Sequence, residues 1–339
     1  MWRTLSVSVL ATIALLAGCS GGTPEKEVKV NLEDAPAMQP VEGELRVALL
    51  TPGPVSDSGW SAMAFDGLQA IKDELGAEVS NQVATDAQIK DSMRSYAQDG
   101  FNLIIGHGFE YNSPAMEVGK DFPAVAFVSS SGGESAANVG AFRFYLEQGF
   151  YACGMLAGKM SKSGVVAMIG GPDVPSIRST FKAFKAGAEA GRPDIKVIEI
   201  FTNEEADVAA AKQATLQAIG QGADFVIHQT NAAARGVFEA CEEKDVWAFG
   251  ANLDQNSESP KILASAIIVA KPAFVSLAKS VRDGTFKGGI TLAGMEDGAI
   301  DFVVNPLNSD KIPSDVRGAL DELLLKIKTG SFEVPKDEF

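Results

Sequence analysis

A chain of 339 residues is too long for one ordinary hydrophobic core and suits two domains. With 44 acidic against 29 basic residues and a formal net charge of −15, it offers neither nucleic acid nor an anionic lipid surface the cations such partners need. Two histidines, far apart in the chain and outside any metal-binding spacing, supply no local ligand cluster for a metal.

The chain opens with "MWRTLSVSVLATIALLAGCSGG": a positive charge at Arg3, an apolar run from Val7 to Ala17, then small residues around Cys19. That is the pattern of a secretory leader, and its apolar run of about 11 residues falls short of the roughly 20 a spanning helix needs. Residues 1–18 are therefore expected to be a signal peptide. Leu16-Ala17-Gly18-Cys19 resembles the bacterial lipobox, which implies a diacylglyceryl group on Cys19 and a membrane anchor facing the periplasm or exterior. Residues 19–43, rich in Gly, Pro and acids and without periodicity, read as a flexible tether.

Beyond the tether, short β-branched runs alternate with longer helical patterns. "LRVALL", "FNLIIG", "AVAFVSS", "GVVAMIGG", "IKVIEIF", "FVIHQT" and "WAFGAN" are the predicted strands. Alternation of this kind implies an α/β protein with parallel sheets and crossover helices. Val47 to Gly76 is echoed by Val166 to Gly191, and "DGFNLIIGHGFEY" by "QGADFVIHQTNAA", in the same order. A duplicated Rossmann-like lobe accounts for this. Since ligands in open α/β sheets sit beyond the carboxyl ends of the strands, two such lobes face each other across a cleft.

The residues that follow the strands are then the candidates for contact. Asp57 and Trp60 follow the first strand in "SDSGW", and Gly53 and Gly59 there do not fit a dinucleotide fingerprint. Asp57 either caps the next helix or holds a ligand N–H. Trp60 is either the first core residue of that helix or a stacking face for a heterocycle. His107 and Phe109 end another strand of the first lobe, Asp173 matches Asp57 in the second, and Asn231, Asn252 and Asp254 follow later strands. Cys153 and Cys241 lie in helical contexts, and whether they pair stays open. Ser56, Ser58, Ser61 and Ser129 to Ser131 sit in no G-x-S-x-G elbow and no P-loop is present, so neither an enzyme nor a cofactor is expected.

The lipobox, "SDSGW", "FRFYLEQGFYACGMLAGKMSKSG", "GGPDVPSIRSTFKAFKAGAE" and "VIHQTNAAARGVFEACEEKDVWAFGANLDQ" together resemble the basic membrane protein family, over most of residues 44 to 305. The resemblance implies a type I periplasmic-binding-protein fold and a monomeric, lipid-anchored solute receptor serving an ABC permease, with purine nucleosides as the relatives' ligands. It places Asp57 on the family's acid, Trp60 on its stacking aromatic and Ser61 on its asparagine. The departures from it are specific. Asn252 replaces the acid that grips ribose hydroxyls, an apolar residue near Ile268 replaces a lysine, and Ser129 replaces an aspartate. A purine nucleobase or similar small heterocycle is therefore expected beside nucleosides. Residues 44–142 and 268–288 are expected to form the N-terminal lobe, and 143–267 and 289–339 the C-terminal lobe. A receptor of the same fold feeding a signalling partner is the alternative.

Overall fold

The computed structural model describes residues 38–57 and 59–337, so the leader, Cys19, most of the tether and Ser58 lie outside the described residues. The first half of the chain runs β1 (Arg46–Thr51), α1 (Trp60–Leu75), β2 (Glu78–Val83), α2 (Gln88–Gln98), β3 (Leu103–Gly106), α3 (Asn112–Val118), β4 (Ala126–Ser129) and β5 (Val139–Phe144). The second continues through α4 (Glu147–Met160), β6 (Val165–Gly170), α5 (Pro175–Gly191), β7 (Lys196–Phe201), α6 (Val208–Gly220), β8 (Phe225–Gln229), α7 (Ala234–Lys244) and β9 (Trp247–Asn252). It closes with β10 (Ile262–Ile268), α8 (Ala270–Arg282), β11 (Ile290–Ala293), β12 (Ile300–Val304) and α9 (Ser314–Lys328).

These strands make two six-stranded sheets, ordered β2-β1-β3-β4-β5-β11 and β7-β6-β8-β9-β10-β12. The first is parallel throughout. The second is parallel except where β12 runs against β10. Helices on both faces explain why the central strands are continuous apolar runs: β1 is buried from Val47 onward and β3 and β4 along their whole length. The fold is the expected two-lobed α/β architecture. The edge strand β2, "EVSNQV", is largely exposed and lacks the apolar run that betrays its neighbours.

The chain passes between the sheets after β5, after β10 and between β11 and β12. In each sheet the strands concerned are the two at one edge, so all the crossings gather on one side. Ile290–Ala293, expected with the second lobe, pairs with Ala141–Phe144 and so extends the first sheet. Its four residues are too short and too exposed at Ile290 to announce a strand.

α4 is buried from Glu147 to Gly158 because glycines let α5 meet it backbone to backbone. A Cβ on Gly154 would stand 2.0 Å from the Phe184 carbonyl oxygen, and one on Gly187 would stand 2.1 Å from that of Tyr151. Cys153 and Cys241 are both free and buried. Burial pushes the Cys241 thiol up to about 12 and the Cys153 thiol well above its ordinary value, so both behave as small core residues. No helix among the described residues is long and apolar enough to cross a membrane.

Candidate functional site

Each sheet has a switch point where its connections diverge, between β1 and β3 in the first and between β6 and β8 in the second. The loops leaving these strands face one another around a cavity of about 300 Å³, lined by Pro52, Trp60, Gly108 and Phe109 from the first lobe and by Pro172, Val174, Gln229 and Asn231 from the second. This is where an open α/β sheet places a ligand.

The β1–α1 loop is organised by Asp57. Its carboxylate accepts the backbone N–H groups of Gly59 (3.0 Å), Ser61 (2.8 Å) and Ala62 (2.9 Å), the donors that the start of α1 leaves without helical partners. Asp57 is buried and caps the helix; it is not part of the cavity wall. Ser61 is likewise buried behind the wall, its Oγ without a partner.

Capping presents Trp60 to the cavity. Its ring stacks on that of His107 with centroids 3.9 Å apart, and its Nε1 donates to the His107 carbonyl at 3.0 Å. His107 in turn has Nε2 on the Trp60 carbonyl (3.0 Å) and Nδ1 on Ser130 Oγ (2.7 Å). A carbonyl only accepts, so Nε2 carries the proton and Nδ1 takes the serine hydroxyl's. Burial drives His107 down to about 3, which keeps the imidazole neutral. His107 is thus a backing plate for Trp60, with both nitrogens occupied, and does not line the cavity. His228, its counterpart in the second lobe, is held by Gln255 and Thr230 and pushed down to about 4 by burial.

Asn231 joins the lobes. With φ of 49° it adopts the left-handed conformation that asparagine tolerates, and its Oδ1 accepts the Trp60 backbone N–H at 3.0 Å. A Cβ on Gly59 would stand 2.8 Å from that oxygen, so the contact needs glycine there. Asn252, at the end of β9 with φ of 69°, also lines the cavity and donates Nδ2 to Gln229 Oε1 at 3.3 Å. Three expected residues stand elsewhere. Asp173 is turned to solvent in an ion pair with Arg178, Asp254 is exposed and accepts the Asn256 N–H, and Ser129 Oγ accepts from Asn112 with Ser131 taking its place on the wall.

The wall also holds charges that loop reasoning passed over. Arg143 on β5 donates to Glu147 Oε1 on α4 at 2.7 Å, both side chains being almost fully buried. Ser179 of α5 donates to the same oxygen at 2.5 Å. The signal was present in "FRFYLEQG", since an arginine between two phenylalanines in a buried strand demands an acid close by. Glu110 and Glu205 face the cavity from opposite lobes. The Glu110 carboxyl folds back over Gly108 and, although the residue as a whole meets solvent, it is pushed up to about 7 by burial, with Glu205 and Asp86 adding repulsion. Glu205 is raised by its own burial, held down by Asn231 and raised further by Asp57. With Arg143 engaged by Glu147, this lining favours ligands that bring hydrogen-bond donors over anions.

Residues 44–338 match the family model described as ABC transporter substrate-binding protein, PnrA-like. The chain is 29% identical over 294 residues to a purine-binding protein of Brucella abortus, covering 85% of this chain and 82% of the relative. It is 27% identical over 346 residues to a transcriptional activator protein of Bacillus subtilis, covering 99% of both. A solute-binding protein of an ABC transporter system from Aeropyrum pernix shares the fold with a TM-score of 0.75 at 19% identity, covering 86% of this chain and 94% of its own.

Proposed function

From the chain's membership of the PnrA-like family of ABC transporter substrate-binding proteins, we propose that it captures a small purine-like heterocycle between its lobes and delivers it to a permease. The observation that carries this reading is the cavity itself. At about 300 Å³ it sits at the small end of the roughly 300–1,000 Å³ range of ligand pockets and is walled by Trp60 and Phe109, flat apolar faces suited to a ring. The purine-binding relative adds weight from a second direction. Closure by bending at the gathered crossings brings the walls together.

A ribose finds little here. Asn252 and Ile268 both line the cavity, and the family resemblance sets Asn252 where nucleoside binders carry an acid and an apolar residue near Ile268 where they carry a lysine. Hydroxyls buried without partners cost free energy. A purine base therefore binds at least as tightly as its nucleoside. Calorimetric titration of paired bases and nucleosides tests this: nucleosides binding tenfold more tightly, about 1.4 kcal/mol, would overturn it. Mass spectrometry of the small molecule that co-purifies tests the ligand class directly. Acylation at Cys19, outside the described residues, holds the receptor at the membrane. A sensing role, which the transcriptional activator relative favours, differs in its partner: chemical cross-linking in cells captures a permease under the transport reading and a signalling protein under the other.

A further inference from the structure

Among the described residues, the buried side-chain atoms left without a hydrogen-bond partner are Ser61 Oγ and Asn252 Oδ1. Of these two residues only Asn252 lines the cavity, where it is 2% exposed. An acceptor without a partner is costly, and a ligand N–H that meets it through a turn of the side chain into the cavity it lines removes that cost. The neighbouring Gln229 also lines the cavity and takes the Asn252 amide N–H on its Oε1. With the Asn252 amide N–H on Gln229 Oε1, the pair retains the Asn252 carbonyl and the Gln229 NH₂ group for a ligand. An acceptor beside a donor is the complement of an amino group beside a ring nitrogen, the edge that a carboxamide reads on adenine.

We propose that Asn252, supported by Gln229, determines specificity by accepting the exocyclic amino group of a heterocycle, so that the site selects an aminopurine over the corresponding oxopurine. The inference rests on the purine reading above and sharpens it. An oxo group would set one acceptor against another, in a wall where Glu205 already supplies acceptors and Arg143 is engaged by Glu147. The penalty for such a mismatch is large because the site's own polar atom stays unpaired.

The test is calorimetric titration of the whole protein with adenine, hypoxanthine and unsubstituted purine, repeated with Asn252→Gly and Asn252→Asp. Glycine accepts the left-handed backbone at this position, and aspartate keeps the acceptor oxygen. The expected result is adenine bound at least about tenfold more tightly than hypoxanthine or purine by the native protein. In Asn252→Gly that preference falls below about threefold, and in Asn252→Asp it persists. Hypoxanthine binding as tightly as adenine to the native protein would overturn the inference and leave the purine reading standing, as would an undiminished preference in Asn252→Gly. Failure of all three bases to bind the native protein would overturn the purine reading and this inference together.

Discussion

Trp60 and His107 are locked face to face and by reciprocal bonds, the indole N–H on the His107 carbonyl and the imidazole N–H on the Trp60 carbonyl, each at 3.0 Å. The tryptophan is therefore rigid before any ligand arrives, and little side-chain freedom is lost when a ring stacks on it. Trp60→Ala is expected to weaken purine binding by ~1–3 kcal/mol, the scale of base–aromatic stacking. Ligand should also perturb the fluorescence of Trp60 while leaving that of Trp247, on β9 beside Lys261, nearly unchanged. Unaltered affinity in the variant would make Trp60 a core residue only.

The bond from the Trp60 backbone to Asn231 ties closure to the same residue. Gly59→Ala puts a methyl group against Asn231 Oδ1, where an ideal Cβ has 2.8 Å. Each lobe should stay as stable as before, since the clash arises only between lobes. Small-angle scattering at saturating ligand should show a larger radius of gyration than the native complex. An identical radius and affinity would show that the contact is dispensable.

Glu110 carries a pH dependence of definite sign. Its pKa is raised to about 7 from 4.5, mainly by burial, so with the lobes arranged as here the carboxyl takes up a proton more readily than an exposed one does. Closure is favoured in acid and loses that advantage as pH rises through 7. Calorimetry at pH 6 to 7 in buffers of different ionisation enthalpy should report proton uptake on binding, and Glu110→Gln should abolish it. Proton release instead would contradict the assignment.

How much of this was legible in the sequence follows from what each element buries. β1, β3, β4 and β6 to β9 announce themselves as apolar runs. β5 hides because Gly140 and Arg143 interrupt it, β10 because small residues dilute "ILASAII", and β2 because its edge position lets it stay polar. At the site, the loops following the strands were legible and the directions of their side chains were not. Asp57 is spaced equally well for a ligand or a cap, and only the three backbone N–H groups it meets decide between them. His107 was correctly set at a strand end but faces inward, and Arg143 and Glu147 escaped notice because they sit at a crossing between lobes.

The close packing of α4 on α5 should be intolerant of side chains. Gly187→Val drives a branched group into the Tyr151 carbonyl, where even a Cβ would have 2.1 Å, and is expected to cost about 3 kcal/mol or more in chemical denaturation. A variant as stable as the native protein would mean that the helices can part cheaply.

Replacing Cys19 by serine should move the protein from the membrane fraction to the soluble one or leave it unprocessed at higher mass. Unchanged partition of a processed Cys19→Ser protein would remove the lipid anchor.

The gathering of every crossing along one edge of each sheet has a mechanical result. One tether would let two bodies swivel, slide or tumble, whereas several tethers in a row act like the knuckles of a door and leave one free rotation. The swing can therefore end in only one register, so Trp60 meets Asn231 at the same place each time. An outside reader of this surface then has one angle to read, the degree of opening, in place of many independent postures.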